Sequence, residues 1–184
     1  MRTKREDWID AGLAILRESG ADALTVERLC ADVDRTKGSF YHHYTDLPAF
    51  RAALLAAWEE RHTQGPIDAA ESASAPTRRR ALHLAVGDLD HDLELAVRAW
   101  AHRDAAARAA CEAVDARRVR YLQKLWRASG KTAALATKLA ELEYAAFLGL
   151  LLRHGGAFPA HRATYALLLG ALDAVHEGAA RKAR

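Results

Sequence analysis

Between positions 24 and 46 the chain carries two short apolar half-stripes separated by a single turn position, a pattern few folds accommodate. Thr25 stands where a helix N-cap is expected. Leu24 before it and Leu29 four residues after it are spaced for a hydrophobic staple. Val26, Leu29, Cys30 and Val33 then share one helix face. Asp34 falls where the chain must reverse, and Asp tolerates a left-handed backbone better than most residues with a Cβ. A second helix is predicted over 36–44, with Phe40 and Tyr44 four apart on one inward face. A longer helix precedes the pair over 4–19, with Trp8, Ile9, Gly12, Leu13 and Leu16 in its stripe and Gly20 as its stop. Another follows, capped by Asp46 with Pro48 in its first turn and carrying Leu47, Phe50, Leu54 and Trp58. Two short helices about a tight turn, framed by longer ones, define a helix-turn-helix arrangement.

The rest of the 184 residues point the same way. Ala and Leu dominate, β-branched residues are scarce and 51% of the chain is hydrophobic, so the expected fold class is all-α. The stretch 65–76, with Pro66, Ser72, Ser74 and Pro76, is predicted to interrupt the helices and marks the expected domain boundary. This gives a helix-turn-helix domain over 1–62 and a second helical domain over 63–184. Helices are predicted in the latter over 78–88, 92–102, 104–129, 132–154 and 159–177. Asp92 and Asp104 are placed as N-caps, and Gly155, Gly156 and Pro159 punctuate the last pair. The longest apolar run, 144–152, is nine residues, against about 20 for a membrane span. A charged start with no apolar segment behind it, and two distant cysteines, Cys30 and Cys111, imply a cytoplasmic protein with reduced thiols.

Charge needs local reading. The net charge is +3, yet residues 1–62 hold nine Lys/Arg against eleven Asp/Glu, a balance of −2, and the remainder carries +5. Global basicity is thus a poor guide to what the first domain binds. Attraction to a polyanion there must come from Arg2, Lys4 and Arg5, then from Arg35 and Lys37. Within Thr36-Lys-Gly-Ser-Phe-Tyr-His-His-Tyr-Thr-Asp46, Lys37, Ser39, Tyr41, His42 and His43 occupy the surface left by Phe40 and Tyr44. Gly38 permits close backbone approach, Lys37 suits a phosphate or guanine, and Ser39 and Tyr41 offer hydroxyls. Thr25 opens a helix whose positive end can face a phosphate. The competing reading is a short core helix with solvated polar residues.

This segment resembles the signature of the tetracycline-repressor (TetR) family of bacterial transcription regulators. That signature is a Ser/Thr, Lys/Arg-Gly-Ser/Thr, an apolar residue, Tyr, two variable positions and an aromatic. Here it reads from Thr36, Lys37, Gly38 and Ser39 through Phe40 and Tyr41 to Tyr44. Helix lengths and turn placement over 1–62 are also similar to the family. Arg98-Ala-Trp-Ala-His-Arg-Asp104 and the stretch 115–121 resemble segments of one subgroup. The resemblance implies DNA contacts by Thr25, Lys37, Ser39, Tyr41, His42 and His43. It also implies a homodimeric repressor on a palindromic operator, released by a small-molecule effector and needing no cofactor. Two departures stand out. Leu47 occupies a position where family members usually carry a phosphate-binding Lys. Asp34 and Arg35 replace a common Gly and Val, and Arg35 is expected to supply part of the missing phosphate contact.

Beyond the first domain the candidates are weaker. Asp88, Asp90, His91 and Asp92 could hold a hard cation, but no second cluster has matching spacing and a polar turn is the favoured reading. A helical enzyme using Asp88 and His91 lacks a phosphate-cradling loop, a nucleophile elbow or a convergent acid–base set. Arg118 lies on an inward stripe with Cys111, Val114, Tyr121 and Leu125. It either pairs with Asp115 or anchors an anionic ligand group. Trp100, Tyr121, Trp126 and Phe147 wall an effector pocket or simply fill the core. The run 144–152, apolar all round, implies burial on two sides. Ala145, Leu148, Gly149 and Leu152, with Leu169, Gly170 and Ala174, are the expected dimer interface, in a two-fold four-helix bundle. A DNA-binding regulator or structural DNA protein without small-molecule control remains the alternative.

Overall fold

The structure, a computed structural model, describes residues 4–155 and 162–175. The expected arm residue Arg2, Gly156, Pro159 and the predicted end of the last helix near 177 lie outside them. Among the described residues there are helices and turns and no strand. In chain order the α-helices are α1 (Arg5–Ser19), α2 (Val26–Val33), α3 (Lys37–His43), α4 (Leu47–Glu59), α5 (Gly65–Glu71), α6 (Arg78–Gly87), α7 (His91–Ala101), α8 (Ala105–Ala128), α9 (Ala133–His154) and α10 (Arg162–Asp173). They form two compact units, Met1–Gln64 with Asp92–Ala113, and Gly65–His91 with Val114–Arg184.

In the first unit, local signals set the helix ends. Thr25 Oγ1 accepts the Arg28 N–H at 3.1 Å and Asp46 Oδ1 accepts the Ala49 N–H at 2.7 Å. Both leave an orphan first-turn donor satisfied. Leu24 and Leu29 are fully buried at the α2 entrance, completing the staple. Asp34 adopts φ 53°, ψ 54°, the left-handed conformation that lets α3 leave α2 at a sharp angle. The core is an aromatic cluster. Phe40 lies 5.5 Å from Trp8, 5.5 Å from Tyr44 and 5.6 Å from Phe50, ring centre to ring centre.

At Gly12, α1 packs directly against side chains of α4. A Cβ there would sit 2.6 Å from Phe50 Cζ and 2.9 Å from Leu54 Cδ1, and both side chains are fully buried. Gly12→Ala is expected to lower stability by about 1–3 kcal/mol through overpacking, outweighing the ~1 kcal/mol of helix propensity it gains. Guanidinium unfolding checks this, and a variant as stable as the parent would contradict the packing.

A buried acid joins α7 to α4. Glu94 accepts Trp58 Nε1 at 3.1 Å on one oxygen and Arg98 Nε and Nη2 at 3.0 and 2.8 Å on the other. His62 Nδ1 lies 3.7 Å from the same carboxylate. His62 and Thr63 belong to a π-helical turn, Glu60–Gln64, that follows α4 and presents both inward. A π turn widens the backbone locally, which reorients these side chains relative to an unbroken α-helix.

Several boundaries differ from expectation. The break predicted over 65–76 is confined to 72–77, because 65–71 is helical. Pro66 follows the π turn Glu60–Gln64 with no coil between them, where the regular i→i−4 ladder that its missing N–H would break is already interrupted. Helix α7 starts at His91, so Asp92 is a first-turn acid and not the cap, still suited to the positive helix end. Asp104 does cap α8, accepting the Ala107 N–H at 2.9 Å. This bond and one from Trp100 hold its carboxyl below the usual range. Helix α10 ends at Asp173, with Ala174 in the turn beyond it.

In the second unit the organising residue is again a buried acid. Glu143 is fully buried on α9 and accepts Trp126 Nε1 at 2.7 Å, His83 Nε2 at 2.8 Å and the Tyr165 hydroxyl at 3.5 Å. Four helices thus converge on one carboxylate. Arg79 lies over the Trp126 ring at 4.2 Å and pairs with Asp173, tying α10 to α6. Burial and the Glu143 charge push the Tyr165 phenol well above its ordinary value.

Candidate functional site

Helix α3 presents two unlike faces. Phe40 and the following cap residue Tyr44 are buried, and the Tyr44 hydroxyl donates to the Arg5 carbonyl at 3.3 Å. Arg5 also lies over the Tyr44 ring at 4.9 Å, so the start of α1 is fixed beside the end of α3. On the other face Lys37, Gly38, Tyr41 and His42 are exposed, and Ser39 and His43 are half-buried. Tyr41 is 54% exposed, unusual for so large a ring. Its ring makes an edge-to-face contact with Phe40 at 5.4 Å. His42 and His43 make an edge-to-face contact at 5.2 Å.

The helix start is set by Thr36, whose Oγ1 accepts the Ser39 N–H at 3.4 Å. Gly38 meets only that same Oγ1, at 3.7 Å, so nothing else crowds the space above its Cα. Thr25 and Arg35 are exposed, one at the opening of α2 and the other in the turn. Arg35 Nη1 donates to the Asp34 carbonyl at 2.6 Å and lies 4.0 Å from its carboxylate. Leu47, at the start of α4, is half-buried. The predicted DNA-contact residues are therefore exposed or half-buried on the surface of α2, the turn and α3.

Glu27, which sequence reasoning passed over, belongs to the same surface. Its carboxylate accepts the Lys37 ammonium across the turn. The bond from Lys37 holds the Glu27 carboxyl below its usual range and holds the Lys37 ammonium protonated to higher pH. The two residues are ten apart, a spacing at which no single helix would pair them. Only the angle between α2 and α3 brings them together.

The other candidates separate. Trp100 is buried in the first unit, whereas Arg118, Tyr121, Trp126 and Phe147 belong to the second. Trp126 is fully buried with its N–H given to Glu143, so it is a structural residue of the core. Tyr121 has Lys124 at 5.7 Å from its ring, and Lys124 pairs with Glu71 at 2.8 Å. Phe147 lies among Tyr144, His91 and Tyr165. Arg118 and Asp115 meet through Tyr144, whose hydroxyl donates to Asp115 Oδ1 at 2.6 Å and accepts from Arg118 Nη1 at 3.3 Å. Asp88 is exposed, 3.9 Å from Arg162, while His91 is buried against Phe147.

The outward faces of α9 and α10 carry exposed apolar residues among charged ones such as Lys138, Glu141 and Arg153. On α9, Leu142, Ala145, Gly149 and Leu152 are exposed and Leu148 is half-buried. On α10, Leu167 is 76% exposed, Gly170 is exposed with Ala174 just beyond, and Leu169 is half-buried. A Cβ on either Gly149 or Gly170 would meet nothing within 4 Å. Among the described residues no helix is long and apolar enough to cross a membrane.

No family model and no curated protein matches the chain. Its fold is similar to the crystal structure of a candidate transcriptional regulator from Pseudomonas aeruginosa PAO1. The two align with a TM-score of 0.76 at 23% identity, over 100% of this chain and 97% of that one. At that identity the likeness establishes a shared all-α fold.

Proposed function

We propose that the protein is a DNA-binding transcriptional regulator of the TetR type, a homodimeric repressor whose α3 enters the major groove. The observation that carries this reading is the division of α3. Its aromatic anchors are buried, while Lys37, Gly38, Tyr41 and His42 stand outside. A helix fixed from below and polar above is what groove recognition needs, because contacts to bases require a rigid platform. The name of the Pseudomonas protein, a transcriptional regulator, agrees with it.

The proposed functional division is 1–62 for DNA and 63–184 for dimerisation and an effector, with Asp92–Ala113 packed in the first compact unit. The exposed Leu142, Leu152 and Leu167 on α9 and α10 support dimerisation, since leucines this exposed beside open glycines are what close helix packing against a second copy covers. Two copies would present two α3 helices to a palindrome. An effector bound among the later helices would release the operator by favouring a head spacing that does not fit it.

A second reading, DNA binding without small-molecule control, is favoured by the commitment of Trp126 to Glu143, which removes one expected pocket contact. Thermal shifts across a metabolite library separate the two. The DNA claim itself is tested by titrating the protein with the DNA upstream of its own gene at moderate salt. Sequence-specific binding there supports the reading.

A further inference from the structure

The positive charge of the chain is concentrated in one place. Of its 27 Lys/Arg and 24 Asp/Glu, the stretch 116–140 holds seven Lys/Arg and no Asp/Glu, leaving 20 against 24 elsewhere. That stretch is the second half of α8, the turn after it and the start of α9. Spacings of three and four put Arg117, Arg120, Lys124 and Arg127 on one face of α8, a row about 15 Å long. Arg120, Lys124 and Arg127 are exposed and Arg117 is half-buried. Lys124 pairs with Glu71 of α5 at 2.8 Å, and Arg78 of α6 reaches the same carboxylate at 3.5 Å, so a fifth cation joins the row around a single acid. Arg120 and Arg127 have no acid beside them among the described residues.

We propose that this face of α8 is a second, sequence-independent binding surface for duplex DNA, one that contacts phosphates alone. Cations that neutralise phosphates gain affinity from released counterions, and a duplex carries one charge per about 1.7 Å of its axis, so a row this long meets several. Arginine predominates in the row, and its planar fork suits phosphate oxygens. The rest of the face argues against other anionic partners. Helix α8 exposes no large apolar side chain, because Val114, Leu122, Leu125 and Trp126 are buried. A protein partner needs an apolar centre, and insertion into a membrane surface needs an apolar face, whereas a phosphate backbone needs neither. The surface also supplies the generic attraction to DNA that residues 1–62, with their balance of −2, lack. It does not depend on whether α3 reads a sequence.

The test separates this face from α3. Lys37→Ala/Tyr41→Ala, which removes two of the proposed α3 contacts, is titrated with random-sequence duplex at about 50 mM salt, alone and combined with Arg120→Gln/Arg127→Gln. Both arginines are exposed, so the unfolding midpoint should stay nearly unchanged. The alanine variant should still bind. The glutamine changes should then weaken binding about tenfold or more and make the slope of log affinity against log salt shallower by about 1.8, the worth of two phosphate contacts. Arg120→Lys/Arg127→Lys, which keeps both charges, should retain the slope. Random-duplex binding that is absent from the alanine variant, or that the glutamine changes leave as it was, overturns the proposal. Capture by phosphatidylserine vesicles that is lost with the same arginines, without duplex binding, assigns the face to a membrane surface and overturns it too.

Discussion

Replacing Lys37 and Tyr41 together by alanine is expected to weaken binding to the cognate duplex by about 100-fold or more while leaving the unfolding midpoint nearly unchanged. On the proposed reading each side chain makes one groove or phosphate contact, worth roughly 1–3 kcal/mol. Neither supports the core: Tyr41 is 54% exposed, and the Lys37 pair with Glu27 is solvated. Phe40→Ala supplies the contrast. Its ring is fully buried against Trp8, Tyr44 and Phe50, so its loss is expected to cost about 3–5 kcal/mol of stability. Fluorescence anisotropy on labelled duplex and guanidinium unfolding, run on both variants, separate recognition from folding. A Lys37/Tyr41 variant that binds as the parent does would remove α3 from the interface.

A loss of stability as large as that of Phe40→Ala is expected at Glu143. Its carboxylate accepts from Trp126, His83 and Tyr165, and it is fully buried. Glu143→Ala strands an indole N–H and a phenol in a dry interior and leaves a cavity. Breaking such a site from one side costs about 3–5 kcal/mol. Glu143→Gln keeps an acceptor for Trp126 at nearly the same volume and should cost roughly 2 kcal/mol less than the alanine change. Guanidinium unfolding of the two variants reads this directly. If both lose the same stability, the bonds to Glu143 contribute nothing beyond packing.

What the sequence made legible follows from how local each interaction is. Thr25, Asp46 and Asp104 act on backbone three residues away, and Asp34 acts on its own φ, so their roles can be read from position alone. The two faces of α3 follow from the four-residue spacing of Phe40 and Tyr44. The π turn at Glu60–Gln64 has no such local signature. It places His62 near Glu94, a residue more than thirty positions away that no window of helical period includes. Glu94 and Glu143 themselves fall on the inward stripes of their helices, Glu143 in step with Ala136, Ala140 and Phe147. Charge at such a position is the signal that could have found them, as it did for Arg118. There the expected partner Asp115 is present but reached through the Tyr144 hydroxyl, a link that depends on how α8 and α9 pack. The cost of Pro66 depends on the backbone ladder around it, and the π turn directly before it, which has no local signature, interrupts that ladder. The pairing of Glu27 with Lys37 likewise needed the angle between two helices.

Selection from a random-sequence duplex pool at about 150 mM salt tests most directly whether α3 reads a DNA sequence. Enrichment of a two-fold symmetric sequence is expected, with half-sites about one helical turn apart or a multiple of it, and loss of that enrichment in the Lys37/Tyr41 variant. A pool that emerges without a preferred sequence, or one enriched equally by that variant, would contradict it.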